Sequence, residues 1–246
     1  MIWRRMSLLR TKVPFFSRWP EQVELDGVKV PLKNSPLDPK TRRRLMRGSY
    51  ELAECDLVRH FVKPGEQILE LGASVGIVTC FLSRQAGPTG RLVCVEADAR
   101  LKVPFEAQLA LNGVRAVWVN ALCCPLWQDQ VPPPIAQQSF QQSEQTLSGR
   151  AVAGPTSGQS PPWLTALAIC QQTNLEPSAL VMDIEGTEAV WSEYPPNLPD
   201  SIGLVIAEFH PRLMGSKVAG RAVQAILEKG FVVSALHGTV LAFERR

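Results

Sequence analysis

Glycines and an acidic residue meet where one predicted strand ends and a helix begins. Residues 67 to 82 read Gln-Ile-Leu-Glu-Leu-Gly-Ala-Ser-Val-Gly-Ile-Val-Thr-Cys-Phe-Leu. Ile68 to Leu71 is a short apolar run that predicts a buried strand, and apolar residues resume at helical spacing from Ile77. Gly72 and Gly76 permit the tight turn between strand and helix. In an open parallel sheet, such a junction binds nucleotide-like ligands.

The residues of this turn distinguish among such ligands. A dinucleotide site is typical of G-x-G-x-x-G, and a P-loop requires Gly-Lys-Ser/Thr; neither pattern is present. Glu70 lies two positions before the first glycine, where a carboxylate suits an ammonium or a sulfonium better than a pyrophosphate. S-adenosylmethionine has both cations, and its carboxylate suits a helix N-terminus. The spacing therefore predicts a methyl donor site that contains Glu70, Gly72, Ala73, Ser74 and Gly76.

The residues of the turn permit two other interpretations. Residues 72 to 76 satisfy G-x-S-x-G, the nucleophile elbow of α/β-hydrolases, with Ser74 as the nucleophile. Asp183 and then His210 or His237 follow in the order of that catalytic triad. An α/β-hydrolase, however, has several strands before its elbow, and the residues before this strand predict no such series. The third interpretation is an ordinary strand-to-helix turn without a ligand.

The next two predicted strands add polar groups at the same edge. Arg91 to Val95 predicts a strand that ends in Glu96-Ala97, and Glu96 lies 20 residues after Gly76. A carboxylate at that tip is placed to bind both ribose hydroxyls. Val114 to Val119 predicts a strand that ends in Asn120-Ala121, where an adenine amino group would find a polar partner. The predicted donor site therefore includes Glu96, Ala97, Asn120 and Ala121.

Two later predicted strands also end in acidic residues. Ala179 to Met182 is followed by Asp183-Ile184-Glu185, and Ile202 to Ala207 is followed by Glu208-Phe209-His210. Residues two apart in an extended chain point the same way, so each pair would face one ligand. Such groups could activate an acceptor hydroxyl, hold its oxygen atoms or bind a divalent cation.

The residues that follow these two strands have different predicted roles. Asp183, Glu185 and His210 are predicted to be catalytic, with His210 as the base because its intrinsic pKa of about 6.5 suits proton transfer. Asp183 is also expected to contact the donor, and we expect no metal ion. The alternative is that Glu185 and Glu188 cap the following helix while His210 is a packed loop residue. For Glu188 we favour that supporting role.

The segment before the glycine turn supplies the predicted acceptor contacts. Leu45 to Phe61 predicts one helix. Its first half contains Tyr50, Glu51 and Glu54, and the helix leads directly into the turn. Together with Glu208, these three are the predicted substrate-binding residues.

The order of the elements predicts the fold class. Strands and helices alternate, and the chain closes with a hairpin that joins Phe231–Leu236 to Val240–Phe243. This pattern predicts an α/β protein: a Rossmann-like, doubly wound, mostly parallel seven-stranded sheet with a C-terminal antiparallel hairpin. We expect a basic N-terminal extension at 1–47 with a small hairpin at Asp26-Gly27, and a catalytic domain at 48–246. Within that domain, 128–162 is predicted to be a flexible insert rich in Gln, Pro and Ser.

Composition limits the location and the partners. The 246 residues are 45% hydrophobic and 20% charged, which is typical of a globular protein. We expect no membrane-spanning segment and no secretion signal, and six cysteines without C-x-x-C spacing favour a reducing, cytoplasmic location. Residues 1 to 47 hold 12 Lys and Arg against 4 Asp and Glu. That basic segment could touch an anionic membrane peripherally; a solvated leader is the alternative that we favour, and we expect no nucleic-acid partner.

Four blocks of sequence resemble the FkbM family of methyltransferases. They run from Gly48 to Glu51, Glu70 to Gly76, Asp183 to Glu188 and Glu208 to Pro211. The resemblance covers roughly Gly48 to Phe243. It implies a Rossmann-like fold, S-adenosylmethionine as the cofactor and, commonly, O-methylation of sugar or polyketide hydroxyls.

The chain departs from the family pattern at three places. Glu70 stands where the family usually has Asp, Ser74 where it has Asn, and Glu96-Ala97 where Glu-Pro is common. These changes keep acidic and small polar character. The sequence thus predicts an S-adenosylmethionine-dependent methyltransferase, and the resemblance implies that it acts on a hydroxyl of a sugar or of another small or glycan-linked acceptor. The alternatives are a non-catalytic binding module and a hydrolase that uses Ser74.

Overall fold

A computed structural model of the protein describes residues 19–33, 35–142, 149–154 and 160–246. The strands, in chain order, are β1 Gln22–Leu25, β2 Val28–Pro31, β3 Gln67–Leu71, β4 Arg91–Glu96, β5 Val117–Asn120, β6 Leu122–Cys124, β7 Gln138–Gln141, β8 Arg150–Ala153, β9 Trp163–Thr165, β10 Ala179–Met182, β11 Leu204–Glu208, β12 Phe231–His237 and β13 Val240–Arg245.

The α-helices are α1 Pro39–Met46, α2 Leu52–Phe61, α3 Ile77–Ala86, α4 Lys102–Asn112, α5 Pro133–Ala136, α6 Ala166–Thr173, α7 Pro211–Met214 and α8 Ser216–Leu227. Two short 3-10 helices cover Ala99–Leu101 and Thr187–Ser192. Within the described ranges, none of these helices has the length and the apolar character needed to cross a membrane.

Seven strands form one sheet in the order β12-β13-β11-β10-β3-β4-β5. The five strands from β11 to β5 are parallel, and β13 is antiparallel to both of its neighbours. The predicted Rossmann-like sheet with a C-terminal antiparallel hairpin is therefore confirmed. The chain leaves β3 towards β5 and later returns to the other side of β3 as β10. In sheets of this kind, ligands bind at that switch point, outside the carboxyl ends of the strands.

The parallel strands are apolar on both faces because helices cover both sides of the sheet. Ile68, Val181 and Ile206 lie in a buried cluster with residues of α2 and α3. Their neighbours Leu69 and Leu180 lie in a second cluster with residues of α6 and α8. The alternation along each strand thus divides the core into two layers that hold the sheet between them.

Glu70 is the exception within β3, since its side chain is buried with only 2% exposure. Its Oε2 accepts a hydrogen bond from Thr79 Oγ1 at 2.6 Å, across the interface with α3. Desolvation raises the pKa of Glu70 from 4.5 to about 7, and the negative charge of Glu96 adds to the increase, while hydrogen bonds from Thr79 and Cys94 oppose it. The charged form of this carboxyl group therefore destabilises the folded state.

The predicted N-terminal hairpin is present as β1 and β2, which turn at Asp26-Gly27. Val28 and Val30 are buried in the same layer of the core as α3. The side-chain amide of Gln108, on α4, donates to the backbone oxygen of Lys29 at 2.8 Å. The hairpin is therefore packed against the sheet domain. Residues 1–18 of the predicted basic extension lie outside the described residues.

The prediction of one helix from Leu45 to Phe61 is wrong, because the chain breaks between α1 and α2. Gly48 has a φ of 62° and Glu51 a φ of 45°, both in the left-handed region. Glycine at this position ends a helix at little conformational cost. The break turns the chain towards the carboxyl edge of the sheet.

The segment 128–162, predicted to be a flexible insert, has regular structure in its described part. It contains α5 and the antiparallel hairpin of β7 and β8. Parallel pairing of β6 with β9 closes the base of this excursion, and the indole nitrogen of Trp163 donates to Gln138 O at 2.9 Å. Residues 143–148 and 155–159 of the segment lie outside the described ranges.

Gly72→Ala is expected to destabilise the fold by more than about 3 kcal/mol. Gly72 has a φ of +89°, and a Cβ there would lie 1.7 Å from the backbone oxygen of Asp183. Urea unfolding measures the change in the free energy of unfolding. Gly113→Ala is the matched control, because Gly113 has a φ of +66° but no atom within 4 Å of its added Cβ; it should cost only about 1 kcal/mol. Equal losses in the two variants would contradict the close approach of β3 and β10.

Glu70→Gln is expected to stabilise the protein at neutral pH and to have little effect in acid. The pKa of Glu70 is raised in the folded state, so its contribution to stability is full below about pH 4.5 and is lost as the pH rises through about 7. At about pH 8 the gain of the variant should be on the order of 1–3 kcal/mol, and it should shrink towards about pH 5. Urea unfolding at both pH values tests this, with the exposed Glu193→Gln as control. A variant less stable than the parent at pH 8 would contradict the expectation.

Candidate functional site

A cleft of about 290 Å³ lies at the carboxyl ends of β3, β4 and β10, at the switch point of the sheet. Most of the predicted site residues line it: Tyr50, Glu51, Glu54, Glu70, Gly72, Ala73, Ser74, Glu96, Ala97, Ala121, Asp183 and Glu185. Gly76, Asn120, Glu208 and His210 do not line the cleft directly. The structure therefore brings together residues that are up to about 135 positions apart in the chain.

The glycine turn forms the floor of the cleft between β3 and α3. The backbone nitrogens of Gly72 and Ala73 donate to Val95 O at 2.9 and 3.1 Å, which fixes the turn against β4. Ser74 has a φ of 49°, and its Oγ is buried without a hydrogen-bond partner among the described residues. Gly76 serves packing, since a Cβ there would lie 2.8 Å from a ring carbon of Phe105.

Glu96 at the tip of β4 joins the turn to the next loop. Its Oε2 accepts from Ser74 N and its Oε1 from Asp98 N, each at 2.8 Å. Desolvation raises the pKa of Glu96 to about 7, and the backbone donors oppose the increase. Each carboxylate oxygen keeps a lone pair, because each accepts one of these two bonds.

Asn120, the polar residue predicted at the end of β5, forms hydrogen bonds within the edge of the sheet. Asn120 Nδ2 donates to Glu96 O at 2.8 Å and to Ala97 O at 3.0 Å. Both bonds hold β5 to β4 through the amide nitrogen, and the contact of Asn120 with a ligand stays a prediction. Ala121, Leu122 and Cys123 line the cleft beyond it, so the wall at this end is largely apolar.

The Asp183–Glu188 turn and His210 form one charged network. His210 Nε2 lies 3.4 Å from Asp183 Oδ1 and 3.6 Å from Glu185 Oε2, and Nδ1 lies 3.2 Å from Glu188 Oε1. Desolvation lowers the pKa of His210, but the hydrogen bond to Glu188 and three negative charges outweigh it and raise the pKa to about 9. The raised pKa favours a protonated imidazole at neutral pH, which suits a residue that positions Asp183 and Glu185 better than it suits a base. The catalytic role of His210 stays a prediction.

Glu188 has the supporting role that we favoured from the sequence. Its side chain is fully buried, and its two oxygens accept from Ile184 N at 3.0 Å and Gly186 N at 2.8 Å. These bonds fix the turn after β10, in which Glu185 has a φ of 50°. Glu188 thereby sets the direction of Glu185.

The break between α1 and α2 supplies the opposite wall. Arg44 lies 5.2 Å from the ring centre of Tyr50, over its face. Glu51, Asp183 and Glu208 each place a carboxylate oxygen within 4.8 Å of the other two. Glu54 is only 3% exposed; desolvation raises its pKa, and the charges of Asp183, Glu51 and Glu208 raise it further. The cleft is therefore strongly anionic on this side.

Several residues of the cleft were not predicted from the sequence. Phe140, Gly149, Arg150 and Ala151 come from the β7–β8 hairpin and cover the cleft, while Asp38, Lys40, Thr41 and Arg44 come from the start of α1 and the helix itself. Asp38 followed by proline is a helix-start signal that was present in the sequence: its carboxylate accepts from Lys40 N and Thr41 N. The hairpin residues had no such signal, because the composition around them is that of a linker.

A second cavity of about 360 Å³ adjoins the cleft. Arg150, Glu185 and Thr187 line both cavities. Ile135, Leu213 and Met214 make the far side of the second cavity apolar. Glu185 therefore stands between the two spaces.

The geometry does not support a hydrolase. Ser74 Oγ has no hydrogen-bond partner among the described residues. His210 contacts Glu188, His237 lies 3.3 Å from Asp56, and the His60 ring contacts Asp56 O. A serine nucleophile requires a histidine within hydrogen-bond reach, and the three histidines are engaged elsewhere.

No protein-family model and no curated protein matches the chain. Among solved structures, it is similar to an O-methyltransferase from Bacillus cereus in complex with SAH, at 15% identity over 78% of this chain and 80% of that one, with a TM-score of 0.48. It is also similar to fibrillarin from Aeropyrum pernix with natively bound S-adenosyl-L-methionine, at 14% identity over 77% of this chain and 71% of that one, with a TM-score of 0.43. A third similar structure is a precorrin-6y C5,15-methyltransferase from Geobacter metallireducens, at 11% identity over 78% of this chain and 85% of that one, with a TM-score of 0.45. Likenesses of this size carry no argument about function, and the Rossmann-like fold follows from the strand order of the sheet itself.

Proposed function

We propose that the protein is an S-adenosylmethionine-dependent methyltransferase. The observation that carries this proposal is the union of two features in one cleft: a glycine turn between β3 and α3 at the switch point, and a carboxylate, Glu96, at the tip of the next strand. A nucleoside ligand needs both features. The glycine turn lets the protein backbone approach the ligand closely, and the carboxylate accepts hydrogen bonds from the ribose hydroxyls.

The residues present fit this donor. Glu96 keeps one lone pair on each oxygen for a hydroxyl, and Ser74 offers a buried hydroxyl without a partner among the described residues. Ala121, Leu122 and Cys123 provide an apolar wall for a base. The anionic side near Glu51 and Asp183 suits a sulfonium or an ammonium. The volume of about 290 Å³ is near the lower end of small-molecule pockets.

The donor would supply an electrophilic methyl group on a sulfonium, and the chain would align an acceptor and receive its proton. Glu185 is the residue best placed for the proton, because it stands between the cleft and the second cavity. His210 would position Glu185, because its Nε2 lies 3.6 Å from Glu185 Oε2. The second cavity would hold the body of the acceptor, with its apolar side against Leu213 and Met214.

The finer proposal is O-methylation of a hydroxyl on a sugar or another small or glycan-linked acceptor, by a member of the FkbM family. It is supported by the four motif blocks and by carboxylates that can accept from several hydroxyls. Tyr50, Glu51 and Glu54, which are in or near the first block, line the same cleft as Asp183. Their convergence is what an acceptor with more than one hydroxyl requires.

Donor binding tests the proposal directly. S-adenosylhomocysteine at about 100 times its dissociation constant should stabilise the fold by about 2.7 kcal/mol. Glu96→Gln and Glu96→Ala should weaken calorimetric binding by about 1–3 kcal/mol, because the ribose hydroxyls lose a charged acceptor. Glu193→Gln, on the exposed surface, should bind normally. A folded protein that gives neither a thermal shift nor a heat of binding would end the methyltransferase proposal.

Glu185→Gln and His210→Ala are each expected to lower methyl transfer more than about tenfold. The first removes the group that would receive the proton, and the second removes the cation that positions it. Transfer of label from the donor into an acceptor-containing extract gives the rate, and S-adenosylhomocysteine binding shows that the donor site is intact. If Glu185→Gln transfers label at the parent rate, the proton goes to a different group.

A further inference from the structure

We propose that the protein binds a hard divalent cation, Mg²⁺ or Mn²⁺, between Glu51, Asp183 and Glu208. One carboxylate oxygen from each lies within 4.8 Å of the other two. An octahedral ion with ligands at about 2.1 Å holds neighbouring oxygens about 3 Å apart and opposite ones about 4.2 Å apart. The spacing of the three carboxylates is compatible with that geometry after small movements of the side chains.

The three ligands come from different elements, and each is held by contacts of its own. Asp183 follows β10 and donates its backbone N–H to Leu71 O at 2.9 Å. Glu208 ends β11, where its Oε1 accepts from Thr239 Oγ1 at 2.7 Å. Glu51 precedes α2 in a left-handed backbone conformation, with a φ of 45°. Three carboxylates are thus brought to one point by separate parts of the fold.

Two further observations point to a cation at this point. Glu54 lines the cleft beside the trio with only 3% of its surface exposed, and among the described residues its carboxyl group has a partner only in the carboxyl group of Glu51. Asp183 Oδ1 is inaccessible to solvent and has no hydrogen-bond partner there either, since His210 Nε2 at 3.4 Å lacks the geometry. Burying unpartnered carboxylate oxygens is costly unless a ligand compensates them.

Carboxyl groups predominate around this point. Glu51, Glu54, Asp183 and Glu208 face one another, and Arg44, which lies over the ring of Tyr50, is the cation that acts on Glu51. His210 is shared among Asp183, Glu185 and Glu188. Carboxylate oxygens alone favour Mg²⁺, Mn²⁺ or Ca²⁺ over softer metals, and an open cleft leaves room for the waters that Mg²⁺ and Mn²⁺ keep.

The role of this cation rests on the proposed methyltransferase function. An ion held by Asp183 and Glu208 at the edge of the cleft would bind an acceptor oxygen and lower the pKa of its hydroxyl. An acceptor with two adjacent oxygens, such as a vicinal diol, would fill two of its positions. The sequence led us to expect no metal, although the acidic residues at the two strand ends could bind a divalent cation. The break before α2 adds Glu51 to them.

The test measures binding of Mn²⁺ alone to the full-length protein after chelator treatment, without donor. Electron paramagnetic resonance of free Mn²⁺ should give a dissociation constant below about 1 mM, and Mg²⁺ should compete. Asp183→Asn, Glu208→Gln and Glu51→Gln should each weaken binding more than about tenfold. The exposed Glu193→Gln should stay within about twofold. Thermal melts identify any variant that fails to fold, and the remaining ones decide the result.

Absence of Mn²⁺ binding below about 1 mM, or unchanged binding in the folded variants, overturns the cation site. Binding of S-adenosylhomocysteine is measured separately, so the two proposals fail independently. Methyl transfer at full rate in excess chelator, together with no Mn²⁺ binding, would remove the cation and leave the methyltransferase. Mn²⁺ binding that depends on Asp183 and Glu208, without any donor binding, would leave the cation site and remove the methyltransferase.

Discussion

Parallel pairing of β3, β10 and β11 is the constraint on which the rest of the structure depends. Parallel strands end at the same edge of the sheet, so the residues after β3, β10 and β11 meet there whatever their distance in the chain. The pairing also brings the backbone oxygen of Asp183 against Gly72 so closely that a side chain has no space. The cleft lies at that edge because helices cover both faces of the sheet, whereas only loops and the β7–β8 hairpin lie over the edge.

A second consequence is that acidic groups are concentrated in a place with little water. Desolvation and mutual repulsion raise the pKa of Glu54 and Asp183. The fold offsets part of this cost with fixed donors, since Glu188 is bonded to two backbone N–H groups and to His210. Carboxylates that are kept close together at the expense of stability are typical of functional positions.

The remaining walls come from segments outside the parallel sheet. The break between α1 and α2 turns Tyr50 and Glu51 towards the sheet edge, and the β7–β8 hairpin places Phe140 and Arg150 over the opening. Pairing of β6 with β9 anchors that hairpin at its base. In the proposed function, the donor would therefore contact rigid strands and turns, whereas the acceptor would contact connections that can differ in length without disturbing the core.

The sequence by itself determined the features that depend on short-range patterns. Apolar runs marked the strands, Gly72 and Gly76 marked the turn, Asp26-Gly27 marked the hairpin, and the acids at strand ends marked the edge of the sheet where ligands bind. These features are local, because period and turn chemistry act within a few residues. They were enough for the seven-stranded fold, and most of the site residues predicted from them line the cleft.

Only the tertiary structure decided what depends on neighbours distant in the chain. The charge of His210 follows from carboxylates on another element, which raise a pKa that would otherwise suit a base. Asn120 turned out to hold β4, because its amide meets backbone oxygens that no sequence pattern reveals. The break between α1 and α2 has a local signal in Gly48, but the direction that it gives Glu51 depends on packing against the sheet edge. The hairpin over the cleft is likewise a tertiary feature, since composition alone would leave the insert without structure.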